Sequence, residues 1–110
     1  MTTVTQHYIE RAHERLGLNY KEAVNLSARA VERGKRYYDM PKLESMYMRE
    51  KEEQGECRSV FYNNSLFVFS LDGTCITVYE APEWFGQKQH YRGKERIRNV
   101  RRYYRNYLDQ

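Results

Sequence analysis

The sequence predicts an α+β domain in which helices precede a three-stranded antiparallel sheet and a basic helix follows it. Three observations support this fold class. Apolar residues recur at helical spacing over the first half of the chain. Between residues 57 and 80 they follow strand spacing, interrupted by two short turn-like segments. Over the last quarter the apolar and basic residues return to a helical period.

Two helices are predicted to form a hairpin at the start of the chain, over residues 4–16 and 20–33. Gly17 follows the first as a stop signal, and Asn19 with Glu22 three residues later is typical of a capping box at the start of the second. Their expected apolar faces are Tyr8, Ile9, Ala12 and Leu16 in the first helix and Ala23, Leu26, Ala30 and Val31 in the second.

A third helix is predicted to begin at Asp39-Met40-Pro41, because a proline in the first turn loses no helical hydrogen bond. Its expected apolar stripe consists of Leu43, Met46 and Tyr47. The charged run REKEEQGE that follows, residues 49–56, is interpreted as a frayed helix end and a linker.

Three strands of an antiparallel meander are predicted from the runs CRSVFY, SLFVFS and TCITVYE. The turns between them are assigned to Asn63-Asn64 and to Leu71-Asp72-Gly73. Because the middle run is apolar on both faces, it is expected to be the central strand and to be covered on both sides.

With 110 residues the chain has room for one domain with one modest core. Within it we distinguish a helical region over residues 1–55, a meander over 56–82 and a basic aromatic segment over 83–110. The chain has no apolar run of signal-peptide or membrane-spanning length, so a soluble cytoplasmic protein without a membrane partner is expected. Cys57 and Cys75 lie far apart and lack the spacing of a metal site. Reduced thiols, no metal and no cofactor are therefore expected.

The positive charge of the chain is concentrated at its end. Residues 84–110 carry eight basic and two acidic side chains, whereas the first 83 residues carry 11 basic and 13 acidic ones. Trp84, Phe85 and four tyrosines lie among these basic residues, a composition typical of phosphate contacts and base stacking. An anionic partner, either RNA or a protein bound to nucleic acid, is therefore expected.

The apolar period of residues 94–108 indicates an amphipathic helix that docks on the sheet, with Trp84 and Phe85 as anchors. The residues expected to bind nucleic acid or a partner are Tyr79, Lys88, His90, Arg92, Arg98, Arg102 and Arg105. In an alternative interpretation the arginines of this helix only pair with acidic residues of the first three helices.

Helical spacing places His7, Arg11 and Arg15 on one face of the first helix. A histidine can move a proton when a ribose 2′-hydroxyl attacks its phosphate, and arginines can hold that phosphate and stabilise the developing charge. The alternative is an ordinary polar helix face on which the arginines pair with neighbouring glutamates.

Strand alternation places Thr77 and Tyr79 on the face opposite to Ile76 and Val78. If the apolar pair faces the core, the threonine hydroxyl could bond a phosphate oxygen and the tyrosine could stack on a base. The alternative is that both are simply residues that favour strands.

The segments HYIERAHERLGL, AVERGK and SLFVFSLDGTCITVYEAPEWFGQKQHYRGKERIRN together resemble small proteins carried by phages and prophages of Gram-positive bacteria. That resemblance implies a location in the cytoplasm of the host bacterium. The layout of those proteins is in turn similar to the barnase–EndoU–colicin–RelE group of ribonuclease-like domains. This similarity implies catalytic residues at His7, Arg11, Arg15 and Thr77, the positions that match a basic opening helix and a strand threonine.

Two functions are therefore expected as alternatives. In the first, the protein acts on or binds RNA or a ribonucleoprotein, and as an enzyme it would be a metal-independent endoribonuclease. In the second, it is a non-enzymatic phage inhibitor of a host defence nuclease, similar in role to anti-CRISPR proteins, that binds through its basic face.

Overall fold

The structure is a computed structural model that describes residues 3–85 of the 110-residue chain. In chain order its elements are α1 (Gln6–Leu16), α2 (Tyr20–Arg33), a 3₁₀ turn (Tyr37–Asp39), α3 (Lys42–Gly55), β1 (Arg58–Tyr62), β2 (Ser65–Phe69) and β3 (Cys75–Glu80). The predicted α+β class, with three helices before an antiparallel meander, is confirmed. The predicted helix over 94–108 lies outside the described residues. Within residues 3–85, no helix is both long enough and apolar enough to cross a membrane.

Local hydrogen bonds fix the ends of the first two helices. Gly17 ends α1 in the left-handed conformation, with φ of 69°. Asn19 and Glu22 form the predicted capping box at the start of α2, with bonds of 2.8 and 3.0 Å between each side chain and the other residue's backbone. The short connection between these two caps holds α1 and α2 together as a hairpin.

The three strands pair in the order β1-β2-β3, so β2 is the central strand, as its sequence predicted. Asn63 and Asn64 both have positive φ, at 51° and 60°, which is the backbone twist that a two-residue hairpin loop requires. The register places Val60 opposite Phe67 and Phe67 opposite Val78 on one face of the sheet.

Two apolar clusters cover the two faces of this sheet. On the first face, the side chains of α1 and α2 pack on the strands through the buried residues Tyr8, Ala12, Ala23, Ala30, Val60, Phe67 and Val78. On the second face, α3 and the end of the described chain pack on the strands through the buried residues Tyr47, Met48, Leu66, Trp84 and Phe85. The sheet is therefore the middle layer of the molecule.

The outer edge of β3 is covered at its start by the residues that precede α1. The Cys75 amide donates to the Thr3 carbonyl at 2.8 Å, and the Thr5 amide donates to the Cys75 carbonyl at 3.0 Å. The Thr5 hydroxyl donates to the Ile76 carbonyl at 3.0 Å. These bonds satisfy backbone groups that an exposed edge strand would leave open to another chain.

Three expectations about the helices are wrong. The charged run 49–56 does not fray, because α3 continues to Gly55 and its Glu52 is held by bonds to other elements. Val31 and Met46, expected in apolar faces, are 57% and 51% exposed. Periodicity alone identifies an apolar stripe, but the position of the neighbouring layer decides which of its edges is covered.

Candidate nucleic-acid interface

The predicted catalytic residues of α1 have three different surroundings. His7 is exposed to solvent. The Arg11 guanidinium forms an ion pair of 2.7 Å with Glu14 on the same helix. The Arg15 guanidinium donates a hydrogen bond of 2.6 Å to the Val78 carbonyl of β3. Both arginines are therefore engaged by the protein's own acceptors.

The strand residues predicted to position a substrate lie on the other side of the sheet. Val78 packs with the α1 side chains, so its neighbours Thr77 and Tyr79 leave β3 on the second face. Tyr79 is half-buried against the cluster that contains Trp84 and Phe85. The sheet thus separates Thr77 from His7, and the described structure does not bring the four predicted catalytic residues into one cleft.

Trp84 and Phe85, predicted as anchors of the C-terminal segment, are buried on the second face. Their rings lie 5.8 and 5.3 Å from the ring of Tyr47 in edge-on arrangements. The remaining residues predicted to bind a partner lie outside the described residues: Lys88, His90, Arg92, Arg98, Arg102 and Arg105.

A different cluster of basic and aromatic residues lies where the chain passes from α2 to α3. Gly34 ends α2 directly against the sheet, where a Cβ atom would stand 2.1 Å from Val60 Cγ1. The next residue, Lys35, exchanges two backbone hydrogen bonds of 2.9 Å with Phe61 of β1. This close approach fixes the direction in which the chain presents Arg36 and the residues after it.

We call the cluster of Arg36, Tyr37, Tyr38 and Arg49 the arginine–tyrosine corner. The Arg36 guanidinium lies 5.7 Å from the ring centres of both tyrosines. Arg49, from α3, lies 5.6 Å from the ring of Tyr37. The two tyrosine rings meet edge-on at 5.4 Å, and Tyr38 is 67% exposed. The corner therefore presents the accessible ring of Tyr38 beside Arg36, with Arg49 on the neighbouring ring of Tyr37.

Glu52 of α3 fixes the position of the central arginine. It accepts a bond of 2.8 Å from the Arg36 guanidinium with one oxygen and a bond of 3.0 Å from the Ser59 hydroxyl with the other. A guanidinium has more N–H donors than this single bond uses, so Arg36 keeps donors for another acceptor. An open cleft lined by Tyr37, Arg49, Glu52 and Glu53 lies next to the corner.

Near the corner, burial and then the Glu52 carboxylate raise the pKa of the Cys57 thiol. The other residues with shifted pKa values lie elsewhere. Burial raises the pKa of the Cys75 thiol to about 12, and burial also raises the pKa of the Tyr8 phenol. A hydrogen bond from the Ser70 hydroxyl is the main cause that lowers the pKa of Asp72. Among residues 3–85, no three His, Cys, Asp or Glu side chains are grouped so that they could hold a metal ion.

The corner is not among the sites predicted from the sequence, although the sequence contains a signal for it. Residues 33–38 read RGKRYY, in which basic and aromatic residues lie side by side as they do at the end of the chain. Because residues 49–56 were predicted to be a linker, no contact of Arg49 with Tyr37 was expected. That contact forms because α3 continues through Arg49.

Comparison of the chain with protein-family models, with curated proteins and with solved structures finds no match. The resemblance to phage proteins and to ribonuclease-like domains therefore stays a prediction from the sequence.

Proposed function

We propose that this protein binds single-stranded RNA without cleaving it, and that the arginine–tyrosine corner stacks on the bases. The observation that carries the proposal is the exposed ring of Tyr38 next to the guanidinium of Arg36. Arginine planes and exposed aromatic rings are the groups on which unpaired bases stack in RNA-binding proteins.

The charge of the chain complements such a partner. Arg36 and Arg49 can contact phosphates that flank a stacked base, since a guanidinium donates two parallel bonds to phosphate oxygens. The basic residues of the segment 84–110 supply further phosphate contacts in this proposal. Together they predict an affinity that falls steeply as the salt concentration rises.

Binding is favoured over cleavage because of the surroundings of the predicted catalytic residues. A ribonuclease mechanism needs an acid or base and a phosphate clamp within hydrogen-bond reach of one reacting phosphate. Arg11 and Arg15 are engaged by Glu14 and by the Val78 carbonyl, and Thr77 lies across the sheet. The corner differs because the Tyr38 ring is open to solvent, although Arg36 there also pairs with Glu52.

The test measures fluorescence anisotropy of a labelled single-stranded RNA of about 12 nucleotides, a length within the usual range of such sites. Tyr38→Ala is expected to weaken binding by about 5- to 150-fold, the effect of losing one stacked base. Tyr20→Ala is the matched control, because Tyr20 is also a tyrosine on the surface, 65% exposed, but lies at the start of α2. It should bind as the wild type does.

Equal affinities of the two variants would contradict the role of the corner, and absence of binding even at low salt would contradict RNA binding altogether. Incubation of the same RNA with the protein and a chelator tests cleavage. RNA that is degraded by the wild type but stays intact with His7→Ala would favour the ribonuclease alternative over this proposal.

A further inference from the structure

A groove with a volume of about 530 Å³ shares Arg36 with the arginine–tyrosine corner. Its size falls within the range of about 300–1,000 Å³ that small-molecule sites occupy. The apolar side chains that line it are Val31 from the end of α2, Val60 from β1 and Phe69 from β2. Arg58, directly opposite Phe69 in the sheet register, adds a second guanidinium.

Contacts within the chain hold the walls of this groove in place. Gly34 packs on Val60 at one side, and Glu52 fixes Arg36. At the other side the β2–β3 loop is closed by bonds of 2.8 Å from the Ser70 amide to the Thr74 carbonyl and 2.9 Å from the Gly73 amide to the Ser70 carbonyl. The site is therefore largely formed before a ligand binds, and binding would require little loss of conformational entropy in the chain.

The groove carries charges of both signs. Arg36 and Arg58 supply two positive charges, and Asp72 in the β2–β3 loop supplies one negative charge. The Asp72 carboxylate accepts bonds from the Ser70 hydroxyl and from the Thr74 amide, which keep it in its ionised form. The sum of these three charges is positive, so the groove attracts a phosphate. The apolar residues of the lining leave room for a flat, weakly polar group.

We propose that this groove binds one nucleotide of the RNA strand, with its base on the exposed Val31 beside the largely buried Val60 and Phe69, and its phosphate at Arg36 and Arg58. The inference rests on the proposed function, because Arg36 then contacts two successive nucleotides, one stacked at the corner and one in the groove. The ligand class is a nucleoside monophosphate unit, and a base without phosphate should bind more weakly.

The test titrates adenosine 5′-monophosphate, and separately adenosine, into the full chain and follows backbone amide signals by NMR. The nucleotide should shift the amides of Val31, Val60 and Phe69. Arg58→Ala should weaken nucleotide binding about tenfold, the effect of losing one charged hydrogen bond, and should leave adenosine binding unchanged. The matched control is Arg29→Ala, an exposed arginine of α2 that does not line the groove.

A second variant, Val31→Asp, changes an exposed residue of the groove lining and is expected to abolish binding of both ligands without unfolding the protein. Signals that shift elsewhere, or equal affinities of Arg58→Ala and Arg29→Ala, would overturn the inference. Nucleotide binding in the groove without any RNA binding would overturn only the proposed function. RNA binding that depends on Tyr38 but not on Arg58 or Val31 would overturn only the groove.

Discussion

The two basic regions of the described chain, the exposed face of α1 and the arginine–tyrosine corner, differ in what their arginines contact. On α1, Arg11 pairs with Glu14, and Arg15 donates to the Val78 carbonyl of the edge strand β3. At the corner, Arg36 pairs with Glu52, but Arg36 and Arg49 also lie over tyrosine rings, one of which is open to solvent. Spacing along the chain predicted a functional face on α1 and made no prediction for the corner.

This difference shows why the type and period of residues do not suffice to identify a functional surface. An arginine that donates to a strand carbonyl satisfies a backbone acceptor of its own chain, so its removal affects stability. An arginine beside an exposed aromatic ring offers a partner a flat cationic surface and unused N–H donors, even where one bond to its own chain holds it in place. The following predictions test this separation, beginning with the largest effect on the free energy of unfolding.

The first prediction concerns the packing that positions the corner. Gly34→Ala would place a Cβ atom 2.1 Å from Val60 Cγ1 and 2.5 Å from the Ala30 carbonyl oxygen. Overpacking of this kind should lower the free energy of unfolding by about 3 kcal/mol, and RNA affinity should fall with it. Urea denaturation followed by circular dichroism measures the first effect, and anisotropy with the labelled RNA measures the second.

Gly17→Ala is the matched control, since no atom lies within 4 Å of the added Cβ and only the left-handed backbone conformation opposes it. It should cost about 1 kcal/mol and leave RNA binding unchanged. If Gly34→Ala costs no more than Gly17→Ala, the close approach of α2 to β1 does not position the corner.

The second prediction concerns pH and the core beneath α1. Burial raises the pKa of the Cys75 thiol from 9.0 to about 12. Because the folded value is the higher one, the thiol's contribution to stability is complete below pH 9 and is lost as the pH rises from 9 towards 12. The loss should approach about 1.4 kcal/mol per pH unit. Burial also raises the pKa of Tyr8, so Tyr8 should add to the loss of stability above pH 10.0, the ordinary pKa of its phenol.

Urea denaturation at pH 8, 9 and 10 checks this effect, with the pH values chosen on either side of about 9, the ordinary pKa of a cysteine. In Cys75→Ala the free energy of unfolding should decline less with rising pH than it does in the wild type. Cys57→Ala removes only the half-buried thiol, so it should retain most of the wild-type decline. Parallel declines for all three proteins would mean that Cys75 does not carry the pH dependence.

The third and smallest prediction compares the two arginines of α1. Arg15→Ala removes the bond to the Val78 carbonyl and should lower the free energy of unfolding by about 1 kcal/mol. Arg11→Ala removes an exposed ion pair within one helix and should cost only about 0.3 kcal/mol. Neither should change RNA affinity. Thermal or urea denaturation measures the stability, and a loss of RNA binding in either variant would return α1 to the candidate interface.

Much of the fold was predictable from the sequence, because helix caps, tight turns and apolar periods depend on residues that are close together in the chain. The capping box of Asn19 and Glu22 and the hairpin at Asn63-Asn64 are examples. The continuation of α3 to Gly55 was not predictable in this way. The charged run is held in place because its Glu52 accepts hydrogen bonds from Arg36, which is 16 residues away, and from Ser59 of β1.

For the candidate site the sequence supplied the residue types, and long-range packing supplied their arrangement. The run RGKRYY contains the central arginine and both rings of the corner, but the contribution of Arg49 depends on where α3 packs. Thr77 is separated from His7 for two reasons. Strand alternation places Thr77 opposite to Val78, which the sequence predicts, and α1 packs on the Val78 side of the sheet, which only the folded structure shows.

The sequence by itself determined the α+β order of elements, the helix caps, the central position of β2 and the concentration of positive charge after residue 83. These properties depend on hydrogen bonds, backbone conformations and apolar periods that neighbouring residues define. The tertiary structure decided which groups surround each arginine. Those surroundings depend on contacts such as Arg15 with Val78 and Arg36 with Glu52, which form only when distant segments pack together.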